Sequence, residues 1–124
     1  MPVHPLAAAL IPGPAEMIAC ARALAPTLRA RSQAAEQARQ CPPETIADMR
    51  KSGIHRIVQP RRIGGYGMDW EVLCEVAMEL GQGCGAQGWT ATALSDHPCL
   101  ARMFSEQAQN DIWGEDADVL VSTS

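Results

Sequence analysis

Aromatic side chains are scarce in this 124-residue chain: three Trp, one Tyr and one Phe, 4% of the residues. Strands draw on aromatic and β-branched side chains, so this scarcity, set against abundant alanine, argues against a β-sandwich or barrel and for packed helices. Positive charge is not in excess either. A net charge of −4 and a pI near 5.2 exclude a generally basic nucleic-acid binder. No apolar run approaches the ~20 residues that span a bilayer, so no membrane partner is expected. The five cysteines (Cys20, Cys41, Cys74, Cys84, Cys99) form no C-x-x-C pair and have no nearby pair of histidines. That spacing offers neither a structural zinc site nor a disulfide framework, and reduced thiols in the cytoplasm are the expectation. Residues 1–15 contain no Lys or Arg and are interrupted by four prolines. The Met17-Ile18-Ala19-Cys20 sequence is therefore not read as the cleavage box of a lipoprotein signal. The P-loop, the dinucleotide fingerprint, HExxH and GxSxG are all missing, as are internal repeats.

What is present is one domain's worth of apolar residues, 47% of the chain. Charge divides unevenly. Residues 1–62 carry nine Lys/Arg against four acids, and residues 63–124 carry one Arg against ten. Two oppositely charged faces of one domain account for this, and a partner-docking surface is the alternative.

Residues 1–14, punctuated by Pro and Gly, read as a flexible leader. Residues 15–116 read as a helical domain of about six helices. Ile18, Ala21, Leu24, Ala25 and Leu28 share one face of the first, with Pro26 predicting a kink or two helices in succession. Pro43 starts a second helix that Gly53 stops. Residues 54–60 form an irregular link with Ile54 and Ile57 turned inward, and His55 is expected at the surface or half-packed. Gly64-Gly65-Tyr66-Gly67 is a packing turn, too weak a pattern for a phosphate loop. Asp69 caps a third helix, whose Glu71, Glu75 and Glu79 make a solvated ridge or face a basic helix. Residues 81–88 are expected to form a turn before a small-residue helix at 89–94. Pro98 predicts a helix break at His97. Ser105 caps a last helix over 106–112. Residues 117–124, β-branched and polar, read as the first strand of another domain.

An imidazole at such a break can present one nitrogen to a cavity while a neighbour holds the other, which makes His97 the candidate for acid–base work. A buried histidine with satisfied hydrogen bonds is the alternative. His4 falls in the leader and Trp113 in the core.

The run from Ile46 to Pro60, followed by Gly64-Gly65-Tyr66-Gly67, resembles the N-terminal helical domain of the acyl-CoA dehydrogenase superfamily. Gly83-Cys84-Gly85, Gly88-Trp89, His97, Phe104, Gln107-Ala108-Gln109 and Ile112-Trp113-Gly114 resemble a narrower group within it. These are the oxygenase components of two-component, reduced-flavin-dependent aromatic monooxygenases, of the p-hydroxyphenylacetate and secosteroid hydroxylase type. The resemblance spans residues 15–124. It implies an all-α domain that leads into a β-domain and a C-terminal helical bundle in a longer, tetrameric subunit, with the strand at 117–124 as the start of that β-domain. It also implies reduced FMN or FAD from a separate flavin reductase, a flavin C4a-hydroperoxide as oxygen donor, and a phenolic substrate. His97 would bind the phenolic oxygen, one of Ser122, Thr123 and Ser124 would help, and Trp89 would wall the pocket. Flavin would lie mostly against the later domains, so none is expected on this chain alone, and this chain alone is expected to be inactive. Two other readings are an acyl-CoA dehydrogenase-like oxidoreductase and a non-catalytic helical interaction module.

Overall fold

The computed structural model describes residues 10–122. Five α-helices follow in order: α1 Pro14–Ala38, α2 Pro43–Ser52, α3 Trp70–Gly83, α4 Gly85–Ala101 and α5 Glu106–Trp113. Single 3₁₀ turns at Ile54–Arg56 and Arg61–Ile63 lie between α2 and α3. The all-α expectation is borne out, and no strand occurs among the described residues. Residues 119–122 have no regular structure, while Thr123 and Ser124 lie outside the described residues, as does most of the expected leader.

The local chemistry explains the boundaries. Pro14 opens α1 at a position where an amide would have no helical acceptor, and the Gly13 amide donates to Glu16 Oε1 at 3.2 Å. Gly53 ends α2 in the left-handed region at φ 78°, where the Tyr66 ring leaves no room for a Cβ. Ser105 Oγ accepts from the Ala108 amide at 3.2 Å and starts α5. Asp69 occupies the first cap of α3, as expected, but its side chain makes no capping hydrogen bond.

Packing overrides three local signals. Of the two outcomes expected at Pro26, a kink or two helices in succession, the second does not occur, since α1 runs through it for 25 residues. The turn expected over 81–88 shrinks to Cys84, because α3 continues to Gly83 and α4 starts at Gly85. Nor does α4 break at His97: it continues through Pro98, which is itself buried. At both prolines burial of the helix against the core outweighs an interior-proline cost of about 3 kcal/mol.

The main core joins Met17, Ala21 and Leu28 of α1 to Met49 of α2, Ile54 and Ile57 of the link, Leu73, Val76 and Leu80 of α3, and Ala91 of α4. A buried polar strut crosses it. Gln87 donates to the Leu28 carbonyl at 2.9 Å and accepts from Thr45 Oγ1 at 2.7 Å. Thr45 in turn accepts from Arg31, which also pairs with Asp48 at 2.8 Å. The acidic ridge is only partly solvated, since Glu79 pairs with Arg22 of α1 at 2.8 Å. Some of the charge asymmetry between the two halves is thus neutralised inside the molecule.

Glycine lets α1 and α3 meet at close range. A Cβ on Gly83 would lie 2.2 Å from the Ala25 carbonyl oxygen, whereas one on Gly81 would meet nothing within 4 Å. Gly83→Ala is therefore expected to destabilise the fold by about 1–3 kcal/mol through overpacking. Gly81→Ala, in the same helix, is expected to stabilise it by about 0.5–1 kcal/mol. Urea unfolding of both variants against the parent chain checks the pair, and equal effects would refute the crossing as described.

Candidate functional site

His97 sits in the C-terminal half of α4 with its side chain 18% exposed, between the core and the surface. Its Nδ1 lies 3.1 Å from the Val121 carbonyl oxygen. A carbonyl can only accept, so Nδ1 carries the hydrogen and the basic nitrogen of the neutral ring is Nε2. Nε2 stands 3.6 Å from Asp96 Oδ1, too far for a good hydrogen bond but close enough for an ion pair if the ring is protonated. That carboxylate oxygen is buried and makes no hydrogen bond of its own.

The expected site is brought together in part. Ser122 is exposed and adjoins Val121, so the chain returns to His97 at the position expected of it. Trp89 is eight residues earlier on α4, about 12 Å along the helix axis. It is 74% exposed and lines a cleft of about 580 Å³ between the C-terminal end of α1 and the start of α4, with Ser32, Arg39, Cys41, Cys84 and Thr90. Burial pushes the Cys41 thiol up, which keeps it protonated, and all five cysteines are free. No group of three or more metal-ligating side chains occurs among the described residues. No described helix is long and apolar enough to cross a membrane. Trp113, read as core, is fully buried.

Asp118 and its partners are what sequence reasoning missed. His55, expected at the surface or half-packed, is 1% exposed, because the irregular link coils into a 3₁₀ turn that carries it inward. Its Nε2 donates to Asp118 Oδ1 at 2.7 Å. The same oxygen accepts from the Arg56 guanidinium, through Nε at 2.9 Å and through Nη2. Burial is the largest influence on His55 and lowers its pKa against the pull of Asp118. Partial burial works to raise the Asp118 pKa, but the hydrogen bonds and charges of Arg56 and His55 outweigh it, leaving the carboxyl below its usual value. A His-Arg pair inside an apolar link, with an acid just before the final β-branched run, was the available signal.

The glycine loop has a structural task. A Cβ on Gly65 would stand 2.0 Å from the Gln59 carbonyl oxygen, and one on Gly67 would stand 2.9 Å from Arg61 Cγ. The loop closes on its own chain, in agreement with its reading as a packing turn.

Residues 17–114 match the acyl-CoA dehydrogenase, N-terminal domain, family. The chain is 40% identical to the oxygenase component of the FADH(2)-dependent resorcinol hydroxylase of a Rhizobium species, over 82% of this chain and 25% of that protein. It is 36% identical to HsaA, the oxygenase subunit of a flavin-dependent monooxygenase from Rhodococcus jostii, over 82% of this chain and 27% of that subunit. The crystal structure of the HsaA monooxygenase from Mycobacterium tuberculosis superposes with a TM-score of 0.83 at 30% identity, covering 86% of this chain and 29% of that one. The chain thus spans about a quarter of the length of the relatives it matches.

The Asp118 cluster makes stability depend on pH. Between the folded and unfolded pKa values of His55 the unfolded chain binds more protons, so stability falls as pH drops below the ordinary imidazole value of 6.5. Asp118 adds a second loss as pH falls from its ordinary 3.8 through its lower folded value. Urea unfolding from neutral to acid pH should show both limbs. His55→Gln should flatten the upper one and Asp118→Asn the lower one; unchanged slopes would refute the assignment.

Proposed function

The chain belongs to the acyl-CoA dehydrogenase N-terminal domain family, and from that premise we propose that it forms the substrate-side helical part of a flavin-dependent oxygenase that hydroxylates a phenolic ring. The observation that carries the reading is the fixed tautomer of His97 beside Ser122. The oxygenase components it resembles add support. Attack on an aromatic ring by electrophilic oxygen needs electron density on that ring, so a base that takes or orients the phenolic proton favours the reaction. Nε2 of His97 is that base. The imidazolium that forms has the Asp96 carboxylate 3.6 Å away to balance its charge. The Ser122 hydroxyl, with Thr123 or Ser124 as the other candidates, shares the phenolic oxygen, and Trp89 forms an aromatic wall further along α4. The 117–124 segment opens the β-domain of a longer, tetrameric subunit.

Reduced FMN or FAD, delivered by a separate flavin reductase, would supply the two electrons that activate dioxygen in this reading. The glycine loop does not fit the cofactor: the Cβ positions of Gly65 and Gly67 are filled by the chain itself, which leaves no phosphate cradle in that loop. Flavin binding is therefore assigned elsewhere. The purified chain alone should be colourless after desalting and hydroxylate nothing. A stoichiometric flavin absorbance would overturn that assignment.

In the complete oxygenase, His97→Ala is expected to lower the hydroxylation rate about 10²–10⁴-fold, the span of a lost general base. Less hydroxylated product should then form per reduced flavin consumed. His97→Asn should keep part of the activity by preserving a hydrogen bond. Stopped-flow kinetics with product analysis, alongside thermal melts, checks this. An Ala variant that couples flavin to product as well as the parent would show His97 to be structural.

A further inference from the structure

Residues 117–121 are held without any strand pairing, by side chains of the helical body. Gln59 Nε2, fully buried, donates to the Ala117 carbonyl at 3.1 Å. The Asp118 carboxylate is gripped by Arg56 and His55. The Trp113 indole, also fully buried, donates to the Val119 carbonyl at 3.0 Å. His97 Nδ1 then donates to the Val121 carbonyl at 3.1 Å. Val119 and Val121 also pack into a second apolar cluster with Ile63, Ala101 and Trp113. Extended backbone rises about 3.3 Å per residue, so a slip of one residue would take the Val121 carbonyl out of reach of an imidazole.

We propose that the Arg56–Asp118 clamp and the Trp113 indole position His97, by setting the register of residues 117–121 and holding the Val121 carbonyl where it keeps the imidazole hydrogen on Nδ1. Asp118 and Trp113 act through the backbone of residues 117–121. The clamp supplies the charged anchor, where a carboxylate bridging a guanidinium and an imidazole resists displacement. The indole supplies the directional one, two residues from the acceptor. The importance of this arrangement for catalysis rests on the reading of His97 given above. The arrangement itself does not.

The test reads the ring directly. In the chain labelled at histidine nitrogen, long-range proton–nitrogen NMR correlations distinguish a ring protonated at Nδ1 from one protonated at Nε2. The His97 signals are assigned by their loss in His97→Ala. The parent should show His97 as the Nδ1–H form and His55 as the Nε2–H form. Trp113→Phe, which keeps an aromatic ring and removes one donor, should convert His97 to a mixture of tautomers, as should Asp118→Ala. The double variant should lose the Nδ1–H preference altogether. Arg22→Ala, which breaks an ion pair between α1 and α3, should leave the pattern unchanged. If Asp118→Ala does not fold, Trp113→Phe and Arg56→Met decide. A folded variant whose His97 remains wholly Nδ1–H overturns the proposal. Tautomer shifts together with a catalytically silent His97→Ala would leave the positioning intact and sink the functional reading alone.

Discussion

One carboxylate makes the charged link between the end of the described chain and its body. Asp118 accepts from Arg56 and His55, two neighbouring residues on one 3₁₀ turn, and that turn rests on the core through Ile54 and Ile57. Without this grip the residues beyond α5 would rely on neutral hydrogen bonds and a small apolar cluster. Charge-assisted hydrogen bonds are roughly twice as strong as neutral ones, and although solvent screens part of that gain at the 40% exposed Asp118 side chain, those of His55 and Arg56 are only 1% and 13% exposed. The path of the chain from Trp113 to His97 therefore follows from an ion pair set more than 60 residues back in the sequence.

Most of the helical architecture was legible in the residues themselves. Period and punctuation located the starts at Pro43 and after Ser105 and the stop at Gly53, since those signals act within one turn of backbone. Pro98 misled, as did the reading of two successive helices at Pro26, and for a shared reason. Local propensity weighs the lost amide and the ring clash, whereas the fold weighs the burial of a whole helix face, which no local window contains. The four glycines of residues 81–88 suggested a long turn, yet Gly83 and Gly88 serve close packing of helices. Glycine permits a turn and permits contact equally well.

The candidate site divided along the same line. His97 stood out because its neighbours in sequence suggested a helix break, whereas the structure keeps the helix and places a carbonyl from residue 121 against its Nδ1. His55 looked peripheral because Arg56 stands beside it, and it is buried on a 3₁₀ turn where its partner arrives from far along the chain. Both partners are distant in sequence. Periodicity has no access to those.

The unbroken course of α4 has a mechanical meaning. A helix of 17 residues is about 25 Å long, and Trp89 and His97 are carried on it as fixed points of one rod. The rod bears on α3 near its N-terminal end, where Gly88 would bring a Cβ within 3.1 Å of the Gly81 amide nitrogen. Contact that close leaves no slack at that end, and buried residues from Gln87 to Ala101 seat the rod along its length, so it serves as a ruler: Trp89 and His97 keep a spacing of about 12 Å, and the Val121 carbonyl meets the ring at its far mark.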